Sequence, residues 1–200
     1  MNLRSHLKRV VAVVLLSATL AVSSVVSHLR SADAEQYAVY SAYIEDGLTG
    51  DSHSLGDRRG TILIADHSTM LSELKATEQL RFTVGSLRNL QRRTDPPRLS
   101  LIFGLFFRNL LNGKLDRQFT ISADYELLDA VALSSPNLNE QFPRSYGYIT
   151  LSSVAFSSDL TNALFYTEHI CGLCGGGEYV LMKKNHGRWS VVNRYSTWVS

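Results

Sequence analysis

Thr161–Ser200 reads TNALFYTEHICGLCGGGEYVLMKKNHGRWSVVNRYSTWVS, and the reading of this stretch decides the fold. It holds three strand-like runs, Thr161–Ile170, Tyr179–Lys184 and Trp189–Val199, separated by a glycine-rich cysteine loop and by Asn185-His186-Gly187. Strand-like runs joined by short Gly- and Asn-bearing turns make an antiparallel meander. Just upstream, Ile149–Phe156 adds another run, closed off by Ser158-Asp159.

Working outward, Gln118–Leu128 has a period of two. Phe119, Ile121, Ala123, Tyr125 and Leu127 alternate with Thr120, Ser122, Asp124 and Glu126, the mark of a strand with one buried and one wet face. Before it, RLSLIFGLFFRNLLNG (98–113) is apolar on nearly every side, which predicts a core helix with Gly113 closing its C-terminus. Leu71, Leu74, Leu80, Val84 and Leu87 give a looser helical pattern that Pro96-Pro97 ends, and Thr61–Ala65 is a short apolar run that reads as a buried strand. Tyr37, Tyr40 and Ile44 recur at helical spacing within Glu35–Asp46, with Gly47 as a stop. Helices first and sheet last predict an α+β domain, with N-terminal helices packed on a C-terminal antiparallel β-meander.

Gly147–Ser200 also resembles the end of a family of uncharacterised exported bacterial proteins. In that family an ALxY strand, a CGxLCGxG loop and a terminal W-[VI]-S recur; Ala163-Leu164-Phe165-Tyr166, Cys171-Gly172-Leu173-Cys174 and Trp198-Val199-Ser200 stand at these places here. The cysteine loop is one residue shorter than the family's. The resemblance implies export and a shared fold, and it implies no activity. The final strands resemble, more distantly, the curved sheet of NTF2-like proteins, in which helices close a cone-shaped pocket.

The front of the chain fits export. Arg4, Lys8 and Arg9 precede an uncharged apolar run from Val10 to about Val26, and Ala32-Asp33-Ala34 supplies small residues for cleavage. Residues 1–34 therefore read as a signal peptide, and residues 35–200 as a single domain outside the cytoplasm, periplasmic or extracellular. The apolar run is just short of the roughly 20 residues that cross a bilayer, so an uncleaved inner-membrane anchor is the alternative. Residues 1–34 hold four of the 20 basic and one of the 18 acidic side chains, leaving 16 against 17 in the domain. That balance is no nucleic-acid footprint. Arg88, Arg92, Arg93 and Arg98 form a basic patch without interleaved aromatics, as a solvated helix end would.

Cys171 and Cys174 admit three readings. Thioredoxin-type chemistry needs a helix after the second cysteine, and Gly175-Gly176-Gly177 does not start one. Zinc held by His169, Cys171, Cys174 and His186 would need His186 to reach back along a strand of roughly 20 Å, so no metal is expected. A disulfide between Cys171 and Cys174 at a hairpin tip is the third, favoured by an oxidising compartment.

Asp66 and His67 follow a strand end and, with Ser68 or Thr69, carry the atoms of a nucleophile-and-base set; capping of the next helix explains the same residues more simply. Asp124 and Glu126 share a face and are expected in water, and Tyr37, Tyr40 and Tyr43 are expected to pack α-helix on sheet. The chain has no G-x-S-x-G elbow, phosphate loop or H-E-x-x-H, and no cofactor is expected. The expected role is a non-enzymatic binding or interaction module for an unknown ligand or protein partner. The alternative is a small cone-fold enzyme with an acid–base residue in a helix-covered pocket.

Overall fold

A computed structural model describes residues 33–48, 60–67, 85, 88–110, 113–171 and 174–200. Residues 1–32 of the signal or anchor segment, Ser68 and Thr69, and the pattern from Leu71 to Leu87 lie outside the described residues, except that residue 85 is helical, as are 88–91. Residues 36–200 form one compact unit.

Helix α1 covers residues 33–48 and runs one residue past Gly47, the expected stop. Strand β1 (Ile62–Ala65) is buried at every position. Helix α2 (Leu99–Arg108) follows the two prolines, and then come β2 (Tyr125–Leu128) and two single-turn helices, α3 (Ala130–Leu133) and α4 (Leu138–Gln141). Strands β3 (Tyr148–Leu151), β4 (Ala155–Phe156), β5 (Asn162–Cys171), β6 (Cys174–Asn185) and β7 (Arg188–Val199) complete the chain. The domain is α+β, with a sheet ordered β2-β1-β3-β5-β6-β7 and β4 paired to β5.

The sheet is mixed, which corrects the expectation of a purely antiparallel meander. β1 lies between β2 and β3 and runs parallel to both, while β3 to β7 pair antiparallel. A strand buried on both faces reads as a continuous apolar run, and Ile62-Leu63-Ile64-Ala65 is one. The alternating stretch from Gln118 is mostly not a strand. Its first seven residues are irregular, and Phe119 and Ala123 are buried because α1 packs on them.

Each face of the sheet carries a helix. Along β5, Ala163 and Phe165 join the cluster built on α1, with Tyr40, Tyr43 and Ile44, while Leu164 and Tyr166 join the cluster of Leu101, Ile102, Leu105 and Phe106 from α2. Period two along the strand thus feeds two cores. The phenyl ring of Phe165 meets the rings of Tyr40 and Tyr43 at centroid distances of 5.7 and 5.2 Å, favourable edge-to-face contacts. The Tyr40 hydroxyl, fully buried, donates to the Ser152 carbonyl at 2.6 Å.

Local chemistry explains the breaks. Asn109 ends α2: its Nδ2 donates to the Leu105 and Ser153 carbonyls at 2.7 and 3.0 Å, and its Oδ1 accepts from the Ser153 N–H at 2.7 Å. The helix therefore closes short of Gly113. The same bonds, with Ser152 Oγ accepting from the Tyr166 N–H at 2.7 Å, divide Ile149–Phe156 into two strands. His186 (φ 50°) and Gly187 (φ 79°) are both left-handed, as a two-residue hairpin turn requires. Two bulges, between Gly177 and Glu178 and between Leu181 and Met182, leave Thr197 and Val192 as extra residues on β7 and bend the last hairpin.

Candidate functional site

Beyond the C-terminal end of α1, the far ends of β5, β6 and β7 form the floor of a cleft of about 420 Å³, lined by Tyr43, Thr167, His169, Glu178, Arg194 and Ser196 among others. Strand parity puts them there: Thr167 pairs with Glu178, His169 with Gly176, and Glu178 with Ser196. The expected glycine loop is instead the start of β6, and Gly175, Gly176 and Gly177 form part of the floor. A Cβ on Gly177 would collide with Trp198 Nε1 and the Tyr166 hydroxyl, so only glycine admits those two side chains to the sheet's opposite face.

Arg194 is the hub of the cleft's charges. Its NH1 donates to Glu178 Oε1 at 2.5 Å, its NH2 donates to Asp46 Oδ2 at 2.8 Å, and its guanidinium lies 4.9 Å from the centre of the Tyr43 ring. The Tyr43 hydroxyl donates to the same Glu178 oxygen at 3.2 Å. Glu178 is 21% exposed and Asp46 52%, so water screens the outer pair far more than the inner one. Burial pushes the Tyr43 hydroxyl well above its ordinary range, helped by the charge of Glu178. Burial alone would lower Arg194, but the Asp46 bond, the neighbouring Tyr43 and the charge of Glu178 outweigh it and raise the guanidinium further. Both groups thus keep their protons through the neutral range.

Cys171 and Cys174 are disulfide-bonded, with Cα atoms 5.0 Å apart, and they join β5 to β6 at the rim. The pair also lines a second cleft, of about 620 Å³, against the segment 135–148. His169 Nε2–H donates to the Tyr146 carbonyl at 2.7 Å, which ties that segment to the sheet. His186 sits in the opposite turn of β6, so the four residues weighed for zinc are not brought together. Among the described residues no group of three or more His, Cys, Asp or Glu side chains is placed to hold a metal.

Asp66 and His67 lie elsewhere, at the end of β1. His67 Nδ1 and Asp66 Oδ1 are 2.9 Å apart, and Lys114 Nζ stands 3.5 Å from Asp66 Oδ2. The Asp66 N–H donates to the Leu128 carbonyl and its C=O accepts from the Leu115 N–H, so the residue stitches three segments. His67 borders a cleft of about 270 Å³ together with Ser134, Thr150 and Glu168. Asp124 is exposed, and Glu126 binds Arg117 at 2.5 Å on the surface. Tyr37 and Tyr40 pack as expected; Tyr43 packs too, and also brings a hydroxyl to the cleft.

Sequence reasoning missed Glu178, Arg194 and Asp46. Counting by twos along β7 from Val191 fails at Val192, where the bulge reverses which residues face α1, and no local signal marks it. The one available hint was a lone Glu between a glycine run and an apolar strand. Set against protein-family models, curated proteins and solved structures, the chain matches none of them.

Proposed function

We propose that this chain is an exported, non-enzymatic binding module whose ligand seat is the cleft between α1 and the bulged end of β5–β7. One observation carries the reading: the cleft's charged groups are engaged with one another. Arg194 holds Glu178 and Asp46, Tyr43 is tied to Glu178, and His169 is tied to the Tyr146 carbonyl. A general acid or base needs a proton poised to move near the working pH, and this arrangement commits its groups to rigidity instead. The ligand it suits is a small molecule with an apolar body, set against Val199 and the glycine floor, and a polar end that exchanges hydrogen bonds with Ser196.

Export draws support from the basic head, the apolar run and the disulfide, which an oxidising compartment preserves. No helix among the described residues is long and apolar enough to cross a membrane. Expressed with an intact secretion system, the protein should appear outside the cytoplasm beginning at Glu35; full-length chain held in the membrane would replace cleavage by the anchor.

The binding reading is tested by a thermal-shift panel of small amphiphiles on the parent and on Ser196→Trp. Position 196 is exposed, so the indole fills the cleft without touching the core. At least one compound should raise the melting temperature of the parent and leave the variant unmoved. Equal shifts in both would place the ligand elsewhere.

The second reading, a cone-fold enzyme, draws on His67 and Asp66. Their 2.9 Å contact fixes the imidazole beside a cleft that also holds Glu168, the arrangement in which a carboxylate orients a histidine base. Its test is His67→Ala: turnover of any compound by the parent, lost in the folded variant, would displace the binding reading.

A further inference from the structure

Helix α2 turns Leu101, Ile102, Leu105 and Phe106 toward the sheet and leaves a second apolar face outside. Leu99, Phe103, Phe107 and Leu110 are 53, 49, 71 and 51% exposed; the spacing of four places the first three in one stripe along α2, and Leu110 follows just past the helix end. This corrects the expectation of a helix buried all round. Single exposed leucines need no explanation, but a contiguous stripe with two phenyl rings marks a contact surface.

The charge beside it says what kind. Arg88, Arg92, Arg93 and Arg98 are exposed on the segment leading into α2, and Asp95 is the one acidic residue between positions 85 and 110. Leu90 of that segment is buried in the same cluster as Leu101 and Leu105, so the arginines are held next to the helix rather than on a distant arm. Arg93 is partly engaged, donating to Asn89 Oδ1 and the Ser196 carbonyl.

We infer that this face is a docking surface for an anionic lipid bilayer. An apolar helix face sinks to the boundary between headgroups and acyl chains when cations beside it meet the lipid phosphates, and α2 with its arginine segment supplies both parts. A second copy of the chain is the weaker occupant. A two-fold dimer through the stripe would set like arginine clusters near one another, and repulsion would oppose the apolar gain. The surface lies on the sheet face opposite α1, so it is independent of the ligand cleft.

The experiment is co-sedimentation of the full chain with vesicles of mixed phosphatidylglycerol and phosphatidylcholine, with phosphatidylcholine alone as reference. Two variants are compared with the parent, Phe103→Ser with Phe107→Ser, and Arg92→Gln with Arg98→Gln, each checked by thermal melt. Any contribution from the N-terminal apolar run is common to all three chains. The parent should prefer the anionic vesicles, the serine variant should bind roughly tenfold more weakly, and the glutamine variant should lose its preference for anionic lipid. A further chain, Phe107→Trp, should show a blue-shifted emission with anionic vesicles that added salt reverses. Equal partition of parent and both variants, or an emission from the Phe107→Trp chain that vesicles leave unshifted, overturns the inference. So does a concentration-dependent dimer that the serine variant abolishes while vesicle binding stays unchanged.

Discussion

At the scale of single residues, the least replaceable positions are those where one atom's presence decides whether two side chains fit. Tyr166 shows it. Its hydroxyl donates to Glu168 Oε1 at 2.8 Å and accepts from Trp198 Nε1–H at 3.2 Å, directly over the backbone of Gly177. Gly177→Ala should therefore destabilise by about 1–3 kcal/mol, the usual cost of overpacking a filled site, whereas Gly187→Ala meets no neighbour and is limited by its positive φ alone. Denaturant melts of the two variants separate the causes. Tyr166 also gives a pH dependence: burial, followed by the charge of Glu168, lifts its hydroxyl from an ordinary value of 10.0 to about 12. The folded state thus holds this proton more tightly than the unfolded chain. Its contribution is fully present below about pH 10 and drains away as pH rises toward 12. Tyr166→Phe should flatten that part of the alkaline stability profile, measured by urea midpoints across the range; an unchanged slope would show that the hydroxyl is not what the fold protects.

At the scale of elements, the hairpin closed by Cys171 and Cys174 carries the next prediction. Four residues close the ring, for which loop entropy gives only about 2 kcal/mol. The strands on either side keep ten paired positions and the apolar partners Phe165 and Val180. Replacing both cysteines with Ser should lower stability by no more than that amount and speed hydrogen exchange at the tip, leaving the protection of Leu164–Tyr166 intact. Global unfolding of the double variant would make the bond a condition of folding. Much of this element was readable beforehand: the two turns, the disulfide and the strand cores all follow from local residue types. The glycine run was not. Three glycines in a row have the composition of a loop, but they pair as strand with β5 and β7 here, and Gly177 leaves the space that Trp198 and Tyr166 fill, a demand made by residues far away in the chain. β1 behaves similarly. Its apolar run announced a buried strand, but its parallel partners are supplied by segments some 60 to 85 residues later, beyond what any local pattern records.

At the scale of the whole molecule, the sheet divides the labour. The face toward α1 ends in a cleft whose charges hold one another, and the face toward α2 presents an apolar stripe beside a basic segment. The α+β class was legible because helical and strand periods segregate along the chain; the site was not, because two bulges reassign which residues of β7 look inward. The central claim is that the α1 cleft holds a ligand without transforming it. Native mass spectrometry tests it most directly, using the chain with a compound that the thermal-shift panel selects, recorded at once and again after long incubation. The account predicts one ligand per chain, its mass unchanged with time and its complex absent in Ser196→Trp. A ligand whose mass changes in the presence of the parent chain, or a complex that survives in Ser196→Trp, would contradict it.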